Sequence, residues 1–295
     1  MPTRWAVFHV ASGQAFFTGA ACLIAVACLS AWITRRRGRM ARNVLIALGG
    51  LLVFVSATPL PPWLYLLLLI ASLAWPAVEA LGEWVPSRLV VGGRLAFAAA
   101  WMSAALVELP YHRLPRLPRQ PGRPVLGIIG DSLTAGMEDR EAVTWPRILA
   151  DRHGVTVRDH SVAGAGVVSA SRQAASVSPD ERLVLLEIGG NDILGGTSPA
   201  EFEAGLARLL AEIRRPDRVV VMLELPLPPT YNAFGLAQRR LARQYGAILV
   251  PRRSLLGVLL QKDATLDSIH LSPGGHREMA ISAWRVLRSA YEDQP

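Results

Sequence analysis

Residues 125–134 read VLGIIGDSLT, a short apolar run that ends in a glycine and continues into aspartate and serine. A run of this length fits a strand that is covered on both faces of a sheet. Similar runs at 183–188 and 219–225 are separated by stretches of helical periodicity, and Ser198 to Glu201 has the capping-box pattern that starts a helix. Strands that alternate with helices predict an α/β fold with a parallel sheet wrapped on both sides.

The whole second half of the chain follows this alternation. The predicted strands lie at 125–129, 155–157, 183–188, 219–225 and 247–250. The predicted helices lie at 145–152, 199–215 and 233–245, and a last one opens at Pro273 with Ser272 as its cap. Ligands of such sheets lie beyond the carboxyl ends of the strands, so residues that follow the strands are candidates for a site.

Ser132 lies in such a position, on the tight turn after the first strand. A serine hydroxyl needs a base to become nucleophilic, because it is too weakly acidic on its own. His270, just before the last helix, is a candidate base, and Asp267 three residues earlier can bend back to its imidazole. The aspartate would fix the histidine tautomer and stabilise the imidazolium that forms during attack.

Two further segments at strand ends supply candidate hydrogen-bond donors. Asn191 lies in GGND at 189–192, after the third strand, and its side-chain amide could donate to a developing oxyanion. Gly164 follows the second strand, and a glycine lets the backbone N–H come close to a ligand. The loss of one such donor typically costs on the order of 3 kcal/mol of transition-state stabilisation.

These blocks, in this order, resemble the SGNH (GDSL) hydrolase superfamily. Within it, the sequence is most similar to the bacterial acyl-CoA thioesterase I/lysophospholipase and arylesterase group. The closer similarity lies in TWP at 144–146, LEIGGND at 186–192 and DSIH at 267–270. The resemblance covers roughly residues 123–291 and does not reach the apolar first half.

The resemblance implies a flavodoxin-like three-layer α/β/α sandwich and a serine lipase/acylhydrolase. It makes Ser132 the nucleophile, His270 the base and Asp267 its orienting partner. It assigns the oxyanion hole to the backbone N–H groups of Ser132 and Gly164 and to the side chain of Asn191. It implies an acyl-enzyme on Ser132 formed from a small-molecule or lipid carboxylic ester or thioester, with no metal and no organic cofactor.

One position departs from the family pattern. Many members have an asparagine two residues before the oxyanion glycine, and this chain has Val162 there. The support of that loop is therefore open at the level of the sequence.

Several other residues carry more modest expectations. Asp131 is expected to hold the nucleophile turn by local hydrogen bonds, and Asp192 to shape its loop. We expect His153 and His160 to be structural and His276 to lie on the surface. Residues on loops that could line an acyl pocket are Leu194, Leu227, Tyr231 and Phe234.

The first 110 residues hold most of the apolar excess of the chain. Apolar runs lie at 8–33, 44–57, 63–78 and 89–109. A bilayer core takes about 20 residues of helix, so we expect four transmembrane helices, with three as the alternative because the second and third runs are short and could form a hairpin. Five arginines follow the first run, which favours an uncleaved anchor over a cleaved signal peptide.

The arginines also predict an orientation. If the basic segments before the second and fourth runs are cytoplasmic, the amino terminus and the catalytic half lie outside. Against this, four arginines follow the fourth run, and an odd number of spans reverses the relation of the two ends. We expect an integral membrane protein, in the bacterial inner membrane, with an extracytoplasmic catalytic domain.

The predicted organisation is a transmembrane region at 1–109, a Pro/Arg linker at 110–124 and a hydrolase domain at 125–295. The net charge is +8, but the arginines flank apolar segments or prolines, so nucleic acid is not the expected partner. Cys22 and Cys28 lie inside an apolar run, which indicates neither a disulfide framework nor a metal site.

Three other functions compete with an esterase. A metal-dependent phosphoesterase needs several histidines and aspartates around two metals, and no histidine follows Asn191 in its motif. A non-catalytic scaffold is disfavoured by the intact triad and oxyanion positions. An acyltransferase or deacetylase that acts on cell-envelope glycans remains the alternative, although the family's acyltransferases usually have a larger membrane domain.

Overall fold

The computed structural model describes residues 2–30, 36–81, 84–137, 143–267 and 269–291. The chain divides into two compact units. One, here called the helical unit, comprises Met1–His112 and Leu227–Asn232. The other, here called the α/β unit, comprises Arg113–Pro226 and Ala233–Pro295.

The helical unit is built from the apolar runs that the sequence predicts as helices. Its interior is mostly aromatic and aliphatic, with Phe97 between Trp75 at 4.7 Å and Trp101 at 6.3 Å, ring centre to ring centre. The helices that the structure describes here are α1 (Pro2–Ala11), α2 (Gln14–Leu29), α3 (Arg36–Val55), α4 (Pro62–Ala80) and α5 (Ser87–Glu108), followed by a 3-10 turn at Leu109–His112.

The first apolar run is not a single straight helix. The chain breaks at Ser12 and Gly13, and the axes on either side of the break differ by 78°. Gly13 has a φ of 85°, a left-handed conformation that glycine adopts without strain, and this residue ends the continuity of the helix. Residues 31–35, which include the end of the expected run and the first arginine of its basic cluster, lie outside the described residues.

The helices α2 and α3 pack closely through small residues. A Cβ atom added to Gly19 would lie 2.6 Å from the carbonyl oxygen of Gly49 and 2.8 Å from Cγ2 of Val53. Such close backbone approach is typical of helix pairs in membranes, where small residues form the contact.

By length and composition, two helical segments are long and apolar enough to cross a membrane, Pro62–Ala80 and Ser87–His112. The bent pair α1 and α2 makes a third if it is counted as one span, and the apolar part of α3, Met40–Val55, is shorter. The described residues thus support two or three spans, against the expected four. Several large apolar side chains of α4 are exposed, as lipid-facing residues would be: Leu66, Leu69, Ile70 and Leu73.

The α/β unit contains one parallel five-stranded sheet, so the predicted α/β fold is confirmed. Its strand order is β2-β1-β3-β4-β5, and β1 and β3 are buried along their whole length, as strands covered on both faces must be. The strands are β1 (Leu126–Gly130), β2 (Val157–Asp159), β3 (Leu183–Glu187), β4 (Val219–Leu223) and β5 (Ile248–Val250).

Helices flank this sheet, and the capping signals in the sequence mark their starts. The described helices are α6 (Ser132–Ala135), α7 (Trp145–His153), α8 (Ser171–Ala175), α9 (Gly190–Leu194), α10 (Pro199–Ile213), α11 (Asn232–Tyr245), α12 (Arg252–Leu259) and α13 (Pro273–Leu287), with 3-10 turns at Pro229–Tyr231 and Arg288–Ala290. Ser198 and Glu201 form the predicted capping box of α10, and the Ser272 side chain accepts from the Gly275 N–H at the start of α13.

Three local features differ from the sequence-based expectation. Strand β2 begins two residues later than predicted, since its pairing with β1 starts at Val157, opposite Leu126. Before it, Gly154 ends α7 with a φ of 62°, and Val155 is buried but unpaired in the sheet. Helix α12 was not predicted. In the Pro/Arg segment, Leu117 is buried in the core and its N–H donates to Ser289 Oγ at 2.9 Å, so this part of the segment packs on the α/β unit.

Candidate active site

The turn that carries Ser132 is held by the residue before it. The side chain of Asp131 accepts a hydrogen bond from the Leu133 N–H at 3.0 Å, and its carbonyl accepts from the N–H groups of Thr134 and Ala135. Ser132 is therefore the first residue of α6, directly beyond the carboxyl end of β1, and it is 7% exposed. The expectation that Asp131 holds this turn is confirmed.

The backbone N–H and carbonyl of Gly130, the last residue of β1, are both hydrogen-bonded to the side-chain amide of Gln173. The Gly130 N–H donates to Gln173 Oε1, and Gln173 Nε2 donates to the Gly130 carbonyl, both at 3.0 Å. A Cβ atom at Gly130 would lie 2.6 Å from Thr134 Oγ1, so only glycine fits. Sequence reasoning missed Gln173, since a single glutamine on a short helix carries no local signal of its partner.

Asp267 and His270 form a close pair on the loop before α13. His270 Nδ1 lies 2.6 Å from Asp267 Oδ2, and Asp267 Oδ1 accepts from the N–H groups of His270 at 2.8 Å and Ile269 at 3.1 Å. Because a carboxylate only accepts, Nδ1 carries the proton and Nε2 is left as the basic nitrogen. Ser268, between them in sequence, lies outside the described residues.

These contacts keep Asp267 ionised. The backbone N–H of His270, its imidazole and the N–H of Ile269 lower the pKa of Asp267 from 3.8 to about 2. Burial acts in the opposite direction and is weak here, because the side chain of Asp267 is half exposed. The aspartate is therefore charged across the pH range in which an esterase is assayed.

Leu271, the residue after His270, is buried in the same hydrophobic cluster as Leu133, the residue after Ser132. No hydrogen bond joins Ser132 Oγ to the imidazole in this part of the described chain. Catalytic hydrogen bonds are often long in unliganded enzymes and tighten when substrate binds. The structure thus brings Asp267 and His270 into contact, and in the described residues neither of them is hydrogen-bonded to Ser132.

The candidate oxyanion residue Gly164 lies in the loop after β2, and the other candidate, Asn191, lies in α9, which is hydrogen-bonded to that loop. Asn191 Nδ2 donates to the carbonyl of Ala165 at 3.0 Å, which uses one of its two N–H groups. Gly164 is exposed with a φ of 77°. Before Asn191, Gly189 has a φ of 115°, and a Cβ there would lie 2.9 Å from the ring of Phe202.

Asp192 supports the loop of Gly164, in which Val162 replaces the asparagine of many family members. Its Oδ2 accepts from the Val167 N–H at 2.9 Å, and a Cβ at Gly166 would meet the same oxygen at 2.9 Å. On the other side of the loop, the Val162 N–H donates to the carbonyl of Gly130 at 3.1 Å. Burial raises the pKa of Asp192. Asp192 was expected to shape its own loop; its side chain instead holds the neighbouring loop at Val167.

The surface position expected for His276 is wrong. His276 is 2% exposed, on the face of α13 that also buries Met279 and Ala280, and its Nδ1 accepts from the Trp145 N–H at 3.3 Å. Burial lowers its pKa. The sequence showed the helix start but not which of its faces is inward.

His153 and His160 have the structural contacts that were expected. His153 stacks on Trp284 with ring centres 4.0 Å apart, and His160 Nε2 lies 2.9 Å from Glu181 Oε2. Of the four candidates for an acyl pocket, Phe234 is buried against Phe202, Leu194 is exposed, and Leu227 and Tyr231 belong to the helical unit.

A buried carboxyl below the nucleophile turn was not singled out from the sequence. Glu187, at the end of β3, is 1% exposed, and its Oε2 accepts from Thr134 Oγ1 at 2.9 Å. Burial, and then the charge of Asp131, raise its pKa well above 4.5, against the opposing effect of the Thr134 hydrogen bond. The sequence feature that could have indicated this buried carboxyl is that Glu187 is an acidic residue inside the apolar run at 183–188.

Comparison with known proteins places the chain in a family. Residues 128–278 match the GDSL-like Lipase/Acylhydrolase family. The match takes in the nucleophile turn, the GGND segment and the Asp267–His270 pair, and it spans half of the chain. This protein belongs to that family.

Individual relatives match the same part of the chain. Thioesterase 1/protease 1/lysophospholipase L1 of Escherichia coli strain K12 is 29% identical over 137 residues, which are 42% of this chain and 64% of that protein. The chain thus spans less than two thirds of this relative's length. Esterase TesA of Pseudomonas aeruginosa is 27% identical over 186 residues, 58% of this chain and 92% of the relative.

Among solved structures, the psychrotrophic esterase EstA from Pseudoalteromonas sp., in a form inhibited by monoethylphosphonate, shares the fold. It superimposes with a TM-score of 0.51 at 20% sequence identity, over 56% of this chain and 96% of the esterase. Within the described ranges of this chain, no three His, Cys, Asp or Glu side chains are grouped so that they could hold a metal ion.

Proposed function

We propose that this protein is a serine esterase or thioesterase that hydrolyses carboxylic (thio)esters through an acyl-enzyme on Ser132. One observation carries the proposal. Asp267 Oδ2 lies 2.6 Å from His270 Nδ1, which leaves Nε2 as the basic nitrogen, and the turn after β1 presents Ser132 at the carboxyl end of that strand. Membership of a family of lipases and acylhydrolases supports this assignment.

The proposed reaction has two halves. Ser132 Oγ attacks the acyl carbonyl carbon while His270 Nε2 takes the hydroxyl proton, and Asp267 stabilises the imidazolium. The carbonyl oxygen becomes an oxyanion, which the N–H groups of Ser132 and Gly164 and the amide of Asn191 stabilise. The carbon–oxygen or carbon–sulfur bond then breaks, and His270 returns the proton to the leaving alcohol or thiol.

In the second half, a water molecule replaces the leaving group. His270 takes a proton from this water, whose oxygen attacks the acyl-enzyme carbonyl through the same oxyanion site. Collapse of the second intermediate releases the carboxylic acid, and His270 gives the proton back to Ser132 Oγ. The names of the relatives, a thioesterase/lysophospholipase and an esterase, suggest acyl esters of small molecules or lipids as the substrate class.

The test uses the full-length protein in detergent micelles with short p-nitrophenyl acyl esters. We expect Ser132→Ala to remove the activity, by on the order of 10⁶-fold in kcat for a triad nucleophile. The matched control is Ser176→Ala, because Ser176 is an exposed serine whose Oγ donates to the carbonyl of Arg172 at 3.3 Å, within its own helix turn. Equal activity of Ser132→Ala and wild type would refute the proposal.

We also propose that the helical unit anchors the protein in the bacterial inner membrane, with the α/β unit on the extracytoplasmic side. The support is the apolar character of α4 and α5 and the arginines that follow the first apolar run. Alkaline phosphatase, which is active only outside the cytoplasm, is fused after Pro295 and compared with a fusion of green fluorescent protein. Phosphatase activity supports this orientation, and fluorescence without phosphatase activity contradicts it.

A further inference from the structure

Two carboxyl groups lie together under the nucleophile turn. Asp131 and Glu187 are 2% and 1% exposed, and the β1–β3 register pairs Glu187 with Gly130, the residue directly before Asp131. The Asp131 carboxylate also approaches the backbone just beyond Glu187, since a Cβ atom at Gly190 would lie 3.5 Å from Asp131 Oδ2. No part of the proposed reaction uses Glu187.

The oxygens of Glu187 are not equivalent. Oε2 accepts from Thr134 Oγ1 at 2.9 Å, whereas Oε1 is buried and receives no hydrogen bond from any donor in the described parts of the chain. A buried carboxylate oxygen without a donor is costly, and two ionised carboxylates in one buried site repel each other. A single proton on Oε1 removes both difficulties, because it can be donated to the neighbouring carboxylate.

We propose that Glu187 is protonated on Oε1 and donates a hydrogen bond to the ionised carboxylate of Asp131, so that it acts as a positioning residue for Ser132. Burial raises the pKa of Asp131 as well, but the Leu133 N–H donates to its carboxylate at 3.0 Å and favours the ionised form, so Asp131 is the acceptor. On Glu187, burial and then the charge of Asp131 raise the pKa well above 4.5, and they outweigh the hydrogen bonds from Thr134 Oγ1 and the Asp131 backbone, which lower it.

This arrangement holds the turn at two points. In the proposed arrangement, Oε1 of Glu187 donates to Asp131 while Oε2 accepts from Thr134 Oγ1 at 2.9 Å, and Ser132 lies between these two residues in the chain. Loss of the proton would place two negative charges side by side and release the Asp131 end of the turn. A displacement of about 1 Å at a reacting group can reduce a rate on the order of 10²-fold.

The effect on rate rests on the proposed esterase function, but the proton does not. Glutamine has the shape of a protonated glutamate, with an N–H for Asp131 and a carbonyl for Thr134 at every pH. In the full-length protein, we expect Glu187→Gln to keep kcat within about threefold of wild type and Glu187→Met to lower it on the order of 10²-fold, with KM little changed in both. Equal rates for wild type and the methionine variant, or an equal loss in both variants, would overturn the positioning role.

The proton is measured independently by infrared difference spectroscopy at neutral pH. Wild type minus Glu187→Gln should show the C=O stretch of a protonated carboxyl group, and this band should fade as the pH is raised. The same pair of spectra in a Ser132→Ala background must give the same band, so the result stands even if the protein is not an esterase. Absence of the band at neutral pH would overturn the proposal, whether or not the methionine variant folds.

Thermal unfolding at several pH values tests how the protonation of Glu187 is coupled to the stability of the fold. Because the pKa of Glu187 is raised in the folded protein, the folded state binds the proton more tightly than the unfolded state. The stability of wild type relative to Glu187→Gln should therefore fall as the pH rises from about 4.5 through the raised pKa. A flat difference over this window contradicts the proposed protonation.

Discussion

The two units of this chain differ in how they bury polar groups. In the α/β unit, the buried side chains of Gln173, Asp192 and Arg218 are all bonded to backbone groups. In the helical unit, the buried hydroxyls of Ser30 and Ser56 bond within four positions of the chain, to the Val26 carbonyl and to Thr58 Oγ1, whereas each of the three side chains in the α/β unit reaches a backbone group at least 25 positions away. Hydrogen bonds to the backbone fix loops in one geometry, whereas close packing of small and aromatic residues joins helices but leaves few directional constraints.

This difference shows where the chemistry resides. Each catalytic candidate of the α/β unit is fixed by a polar contact: the turn of Ser132 by Asp131, His270 by Asp267, and Asn191 by the carbonyl of Ala165. The exposed apolar surface of α4 is instead the kind of surface that lipid covers. We infer that the α/β unit performs the reaction and that the helical unit anchors it.

The largest expected effect tests whether the polar contacts of the α/β unit carry the reaction. Asp267→Asn should lower kcat by on the order of 10⁴-fold, because an amide can stabilise the wrong histidine tautomer and cannot stabilise the imidazolium by charge. Kinetics with a p-nitrophenyl ester measure this effect, with the exposed Asp151→Asn as the control. A loss of less than tenfold would show that Asp267 does not orient the base.

The next largest effect is the difference in unfolding free energy between the loss of a buried arginine and the loss of an exposed one. Arg218 donates to the carbonyls of Glu181, Ile213 and Ser178 at 2.8, 2.7 and 2.7 Å. Arg218→Met should destabilise the α/β unit by about 3 kcal/mol or more, because buried acceptors lose a charged donor. Urea unfolding followed by near-UV circular dichroism measures the change.

The matched control for Arg218 is the same substitution at an exposed arginine. Arg147 pairs with Asp151 at 3.1 Å, and both side chains are mostly exposed. Arg147→Met should therefore change the free energy of unfolding by less than about 0.5 kcal/mol. Similar losses of unfolding free energy at Arg218 and Arg147 would mean that the buried hydrogen bonds do not stabilise the α/β unit more than an exposed ion pair does.

A smaller effect is expected from the packing of the helical unit. Gly19→Ala would bring a methyl group against the Gly49 carbonyl and should destabilise the unit by about 1–3 kcal/mol. Gly50→Ala, on the same pair of helices but with nothing within 4 Å of its Cβ, should be neutral or stabilising by up to about 1 kcal/mol. Unfolding in mixed detergent micelles, followed by the circular dichroism of the helices, measures the stability of both variants. Equal stabilities of Gly19→Ala and Gly50→Ala would contradict the packing of α2 on α3.

Sequence patterns predicted what depends on local chemistry. The apolar runs gave the strands, Ser198 and Ser272 marked helix starts, and the spacing of Asp267 and His270 predicted their contact. These features need only neighbours in the chain, because a cap or a short loop closes within a few residues.

Features that depend on distant partners could not be predicted. Gln173 bonds to Gly130, 43 residues away, and Glu187 to Thr134, 53 residues away. His276 is buried because its Nδ1 meets the N–H of Trp145 on another helix. The break at Gly13 depends on a positive φ, which a glycine permits but does not require.

The most direct test of the central claim is the site of covalent labelling in the full-length protein. A fluorophosphonate probe reacts with a serine that a neighbouring base activates, and mass spectrometry of the digested protein identifies the labelled residue. We predict a single label on Ser132, which is lost in His270→Ala and retained in Ser176→Ala. A label on another serine, or a label on Ser132 that does not depend on His270, would contradict the account.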